Sequence, residues 1–126
     1  MTPTESGLHM FVVERDHGVI GFAMIGPLSD RYEFFEQTKT LGASGAIGVI
    51  YSIHVDPDHI GGGAGTVLMQ TALDHLRLTG ITTVVLDTYE TNERARRFYD
   101  AGGWEVAQMA ESHQDGTMAI YRIRLD

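Results

Sequence analysis

Four glycines fall within five residues, Gly61-Gly62-Gly63-Ala64-Gly65, and Thr66 follows them. Val55-Asp56-Pro57-Asp58-His59-Ile60 leads in, and Val67-Leu68-Met69 leads out. Glycines let a backbone approach a ligand closely and take conformations closed to other residues. A helix opening directly behind them aims free N–H groups and the positive end of its dipole at that ligand, which suits a phosphate. The same stretch holds His54, Asp56, Asp58 and His59, all of metal-ligand type. They fail the calcium-loop pattern, because Ile60 and Val67 stand at later ligand positions, so no metal is expected. A Walker loop is excluded, since no Gly-Lys-Ser/Thr occurs. A dinucleotide-binding oxidoreductase unit is imitated by strand, glycines, helix and a second strand carrying Asp87. Its third glycine falls on Thr66, however, and the glycines come too late after the strand.

These groups need elements to position them. The β-branched run Ile47 to Val55 reads as a buried strand, stopped by Pro57, which cannot donate to a ladder. From Gly65 to Thr79 the pattern is helical. Leu68, Ala72 and Leu76 share one stripe, Met69 and Leu73 lie beside it, and Gly80 closes the helix. Ile81 to Thr88 reads as a second buried strand, parallel to the last. Asn92 is placed to cap a helix running to Ala101, with Glu93 in its first turn. That helix buries Ala95 and Phe98, with Tyr99 the alternative buried aromatic, and Gly102-Gly103 ends it.

Two hairpins flank this centre. Met10 to Arg15 and Val19 to Ile25 meet at Asp16-His17-Gly18; Trp104 to Met109 and Thr117 to Leu125 meet around 111–116. Residues 1–8 read as a disordered lead-in. Residues 28–46 read as a long loop with one helical turn, carrying Tyr32, Phe34 and Phe35. The fold class is α/β (α+β), with a mixed, mostly antiparallel sheet around the strand–glycine loop–helix unit.

The bulk numbers set limits. At 126 residues the chain reads as one domain, 1–126, large enough for a real core. A net charge of −8 argues against non-specific binding to nucleic acid or an anionic membrane. With no cysteine there is no disulfide, thiolate nucleophile or Cys-type zinc site. No apolar run is long enough to span a membrane, and no signal peptide is visible, so the expected location is the cytoplasm.

Two blocks carry a resemblance. Val55-Asp56-Pro57 with Ile60-Gly61-Gly62-Gly63-Ala64-Gly65, and Asn92-Glu93-Arg94-Ala95-Arg96-Arg97-Phe98-Tyr99 with Gly103-Trp104, resemble the two signatures of the GNAT N-acyltransferase superfamily. The resemblance runs from about residue 10 to the end of the chain. It implies acetyl-CoA (or CoA) as co-substrate and an amine as acceptor, a small molecule or a protein. It implies that the amides of Gly61, Gly62, Gly63, Ala64, Gly65 and Thr66, with Ile60, cradle the pyrophosphate. Backbone N–H groups of Ile53, His54 and Val55 would face the thioester oxygen across a splayed strand edge, with Asn92 and Phe98 along the coenzyme. Tyr99 would be the acid that protonates the leaving thiolate, pointing away from the core beside Phe98. Arg94, Arg96 and Arg97 would either touch the phosphates or form a solvated helix face.

The chain departs from the pattern in three places. Ile60 replaces the loop's Arg or Gln. No glutamate stands at 47, 49 or 51, positions that share one face by the period of two, and of these only Tyr51 is polar. Glu33 and Glu36 are the remaining candidates for holding a cationic acceptor. Finally, nothing precedes the first hairpin, where the family places a strand and two helices. That wall of the acceptor site is therefore expected to be missing, or Met1 is not the natural start. A homodimer through residues 28–46 or the hairpin 104–125 follows as an expectation. A truncated, non-catalytic CoA-binding module is the alternative reading.

Overall fold

The computed structural model describes residues 7–42 and 45–125. The elements are β1 (His9–Arg15), β2 (Gly18–Pro27), α1 (Phe35–Thr38), β3 (Ala46–Val55), a short 3₁₀ turn (Pro57–His59), α2 (Ala64–Leu78), β4 (Ile81–Tyr89), α3 (Glu93–Ala101), β5 (Glu105–Glu111) and β6 (Thr117–Arg124). Six strands form one sheet in the order β1-β2-β3-β4-β6-β5. Only β3 and β4 run parallel; the other neighbours are antiparallel. That agrees with the mixed, mostly antiparallel sheet read from the sequence.

α2 forms because its apolar residues recur at helical spacing. Leu68, Met69, Ala72 and Leu76 are all buried against the sheet. Each large side chain so buried contributes about 1.5–3 kcal/mol. Close approach is made possible at Gly21 of β2: a Cβ there would stand 2.8 Å from the His54 carbonyl oxygen and 3.1 Å from Leu68. The resulting core joins Ile25, Ile50, Val84, Leu86, Tyr99, Trp104, Ala119 and Tyr121.

The segment 28–42 is the long connection with one helical turn that the sequence suggests, and it folds onto its own sheet. Phe34 is buried and packs with Tyr32, Met118 and Ile120 on the opposite face of the sheet. α1 is one turn, held by Thr38, whose hydroxyl donates to the Phe34 carbonyl at 2.8 Å. Tyr32 and Phe34 are thus used within their own chain, while Phe35 is half-buried with Lys39 Nζ 5.7 Å from its ring centre. The first six residues lie outside the described residues, and Gly7 and Leu8 sit against Gly26 and Pro27 rather than being disordered.

Candidate functional site

The sheet forks at its centre. β3 and β4 pair from Ala46 and Ile81 up to Val49 and Val85, and no further. Yet β3 continues to Val55 and β4 to Tyr89. A bulge accompanies the fork: Ile50 pairs with Ile25 and Ser52 with Met24, leaving Tyr51 without a partner on β2. The bulge shifts the alternation, so that Ile50 and Ile53, three apart, both pack on the α2 side. The period of two therefore holds only up to Tyr51. Beyond it, the exposed His54 sets its ring 5.9 Å from Phe22.

Backbone donors face the fork. Asp56 N–H donates to the Ile20 carbonyl of β2 at 2.7 Å. N–H groups alternate sides along an antiparallel strand, so those of Ile53 and Val55 point away from β2, into the gap.

The start of α2 faces the same gap. Gly63 is its N-cap, in the left-handed region at φ 91°, and no side chain caps it. Four N–H groups at a helix start lack partners within the helix, and no acidic residue stands in this first turn. The contrast with α3 is instructive, because there Asn92 Oδ1 accepts from Ala95 N–H at 3.1 Å. Gly61 also has positive φ, and a Cβ at Gly61 or Gly63 would meet open space. Between the fork, the loop and α3 lies an open groove of about 730 Å³. A bare helix start, a glycine loop and two strand amides on one groove fit an elongated phosphate-bearing ligand.

Residues 2–104 match the acetyltransferase (GNAT) family. The chain belongs to the GNAT family. Among curated relatives, a mycothiol acetyltransferase of Thermobispora bispora is 41% identical over 71 residues, which is 54% of this chain and 24% of the relative. The chain thus spans about a quarter of the length of that relative. Among solved structures, the ribosomal-protein-S18-alanine N-acetyltransferase of Escherichia coli superposes with TM-score 0.73 at 19% identity, over 98% of this chain and 72% of that one. The NatC complex bound to Gag peptide and CoA gives 0.72 at 17%, over 91% and 69%. The GNAT fold of the mixed sheet is what these superpositions share.

In this GNAT chain, most of the residues singled out by sequence line the groove: Ile53, His54, Val55, Ile60, Gly61, Gly63, Gly65, Thr66, Asn92, Phe98 and Tyr99, with Arg94 and Arg97. Two do not. Ala64 is buried under the first turn of α2, and the Gly62 carbonyl accepts from Arg15 Nη2 at 3.4 Å. Arg96 turns elsewhere, donating to the Tyr121 hydroxyl and the Glu90 carbonyl.

One orientation is reversed. Tyr99 is the buried member of its pair at 7% exposure, and Phe98 is the outward one at 37%. The Tyr99 ring fills the space against Tyr121 and Trp104, with ring centres 5.4 and 6.1 Å away. Burial, with Asp87 and Tyr121 nearby, pushes its pKa up to about 12. The loop carboxylates have partners of their own. Glu33 accepts from the His113 backbone N–H at 2.7 Å, and Glu36 pairs with Lys39 at the surface at 2.6 Å. Neither lines the groove. The Tyr51 hydroxyl donates to the Pro27 carbonyl at 2.7 Å. Among the described residues, no three His, Asp or Glu side chains converge as a metal site, and no helix is long and apolar enough to cross a membrane.

Sequence reasoning missed two groups. Arg15 brings a cation to the glycine loop from 47 residues away, which no local pattern signals. Asp87 was noticed only as an imitation of a dinucleotide site. Its signal was a lone acid within the β-branched run Ile81 to Thr88. It receives the Tyr32 hydroxyl at 2.6 Å.

Proposed function

We propose that this chain is one acyltransferase domain that moves an acetyl group from acetyl-CoA to an amine, a small molecule or a protein amine. The observation that carries this is the fork: two strand amides and an uncapped, glycine-led helix start open onto one groove. Family membership supports it, as does the CoA in the solved NatC neighbour. When bound, acetyl-CoA supplies a thioester carbon open to attack and a sulfur able to leave. The amides of Gly61 and of Gly63 to Thr66 would hold the pyrophosphate. Arg94, Arg97 and Arg15 would add charge near it. The Ile53 and Val55 amides would polarise the thioester carbonyl, where preorganised donors act most strongly. Tyr99, fully protonated at neutral pH, would give its proton to the leaving sulfur.

A thermal melt tests the reading. Acetyl-CoA and CoA should raise Tm by mass action, and NAD(H) should not. A shift with NAD(H) alone would sink the proposal. Coenzyme binding without thiol release over a panel of amines would mark a non-catalytic module instead.

We also read the protein as cytoplasmic, without a nucleic-acid or membrane partner, and as a homodimer. With 28–42 folded onto its own sheet, the hairpin of β5 and β6 is the remaining contact. Its edge strand β5 exposes Val106 and Met109. Light scattering coupled to size exclusion decides this, and a clean monomer of 13.9 kDa defeats the dimer.

A further inference from the structure

Away from the fork, two histidines meet where the start of β1 lies against the last turn of α2. His9 opens β1, and His75 stands near the end of α2. Their ring centres are 4.3 Å apart, with the planes tilted by 53°. The period of two puts His9 and Phe11 on one face of β1, and the Phe11 ring meets His75 edge-on at 5.4 Å. His9 pairs across the sheet with Ile25, which belongs to the core under α2.

One atom of this pair is unexplained. His75 Nε2 is buried and has no hydrogen-bond partner. Buried polar atoms are nearly always paired, so this one asks what it serves. A cavity of about 280 Å³ adjoins the two rings, walled by Ile25, Pro27, Leu76 and Ile81. Among the described residues that line it, only His9 and His75 can carry a charge. The charged groups nearby on α2 are already engaged. Asp74 accepts from Gln70 and Arg77, and Arg77 also donates to the Leu125 carbonyl. The negative end of the α2 dipole points here as well, which favours a cation over an anion.

We propose that His9 and His75 bind one divalent transition-metal ion of the nickel or copper(II) class, with water in the cavity on its remaining positions. Imidazole nitrogen suits such ions, and the neutral ring is the form that binds. The spacing selects among them. A ring nitrogen at about 2.1 Å from the ion puts each ring centre about 3.2 Å from it, so two rings at right angles have centres about 4.5 Å apart. At the tetrahedral angle the centres would stand about 5.2 Å apart. The observed 4.3 Å lies nearer the right angle of octahedral and square sites than the tetrahedron of structural zinc. The ion ties β1, which in the sheet pairs with β2 alone, to the end of α2. The site shares no residue with the groove at the fork, so it stands whether or not the chain transfers acetyl groups.

Two readouts test it on protein without added histidines, at about pH 8, where both rings are neutral. The first uses wild type alone. Cu²⁺ at a small fraction of the protein concentration should broaden the ring-proton NMR signals of His9 and His75 before those of His17, His54, His59 and His113. Broadening that begins at another histidine, or at none, overturns the site. The second is calorimetry with Ni²⁺, which should show one saturable site per chain. His9→Asn and His75→Asn should each abolish it, and His17→Asn, in the exposed hairpin turn, should leave it intact. Ni²⁺ should also raise the Tm of wild type by mass action and not that of the first two variants. Binding that survives in either of those variants overturns the shared ion, and Zn²⁺ binding tighter than Ni²⁺ overturns the right-angle geometry. If a variant fails to fold, the broadening pattern of wild type still decides.

Discussion

Two glycines with the same backbone strain separate binding from folding. Gly63 opens α2 on the groove, and Gly80 follows its other end; both have φ of 91°. A Cβ at either would meet nothing within 4 Å, so alanine adds strain at both and a clash at neither. The left-handed conformation costs a non-glycine residue about 1–2 kcal/mol. For a chain of this size each kcal/mol moves Tm by roughly 3–6 °C. Gly63→Ala and Gly80→Ala should therefore each lower Tm by about 3–12 °C, and by similar amounts. Their response to coenzyme should differ. A ligand at a hundred times its Kd stabilises by about 2.7 kcal/mol, or roughly 8–16 °C on the same conversion. Gly80→Ala should show that full upward shift. Gly63→Ala should lose most of it, because its methyl stands where a phosphate would approach the first-turn amides. The assay is a thermal melt of three proteins with and without CoA. An undiminished shift in Gly63→Ala would refute the assignment of the phosphate to this loop. An equal loss in both variants would refute the local reasoning and point to a general loosening of α2.

Three further perturbations follow. Tyr99→Phe keeps the ring that packs on Trp104 and Tyr121, so CoA affinity and Tm should hold while the transfer rate falls about 10²–10⁴-fold; an unchanged rate in a chemistry-limited assay removes Tyr99 from the mechanism. Phe34→Ala should cost about 3–5 kcal/mol in denaturant unfolding, since a buried aromatic leaves a cavity; a loss below about 1 kcal/mol would mean that the segment is not part of the core. Asp87→Asn concerns pH. The folded pKa of Asp87 lies above its ordinary value of 3.8, so its linked stability is complete below that value and lost as pH rises through the folded one. Asn keeps an oxygen for Tyr32 and carries no charge, so the variant's Tm relative to wild type should be higher at about pH 7 than at about pH 3. A pH-independent difference would show that Asp87 carries no such cost.

The central unit was legible because its signals are local and dense. A β-branched run, a proline, clustered glycines and a helical stripe lie within Ile47 to Thr79, and β3, the loop and α2 fall within a residue or so of those bounds. Both hairpins were legible for the same reason. What escaped depends on contacts between distant residues. Tyr32 reaches Asp87 across 55 residues, and Glu33 reaches His113 across 80. No window of sequence holds both partners, so the segment 28–42 read as a loop. The bulge at Tyr51 is likewise invisible, because one unpaired residue leaves the composition of a strand unchanged while moving every later side chain to the other face. The order of Phe98 and Tyr99 was misjudged because two adjacent aromatics look equivalent until Trp104 and Tyr121 are in place.

The central claim is that the groove at the fork holds the coenzyme by backbone amides, and a crystal structure grown with CoA tests it most directly. The account predicts the pyrophosphate on the N–H groups of Gly61 and of Gly63 to Thr66, and the pantetheine arm running between β3 and β4 toward Tyr99. Coenzyme seated elsewhere, such as in the smaller cavity lined by His9 and His75, would contradict it.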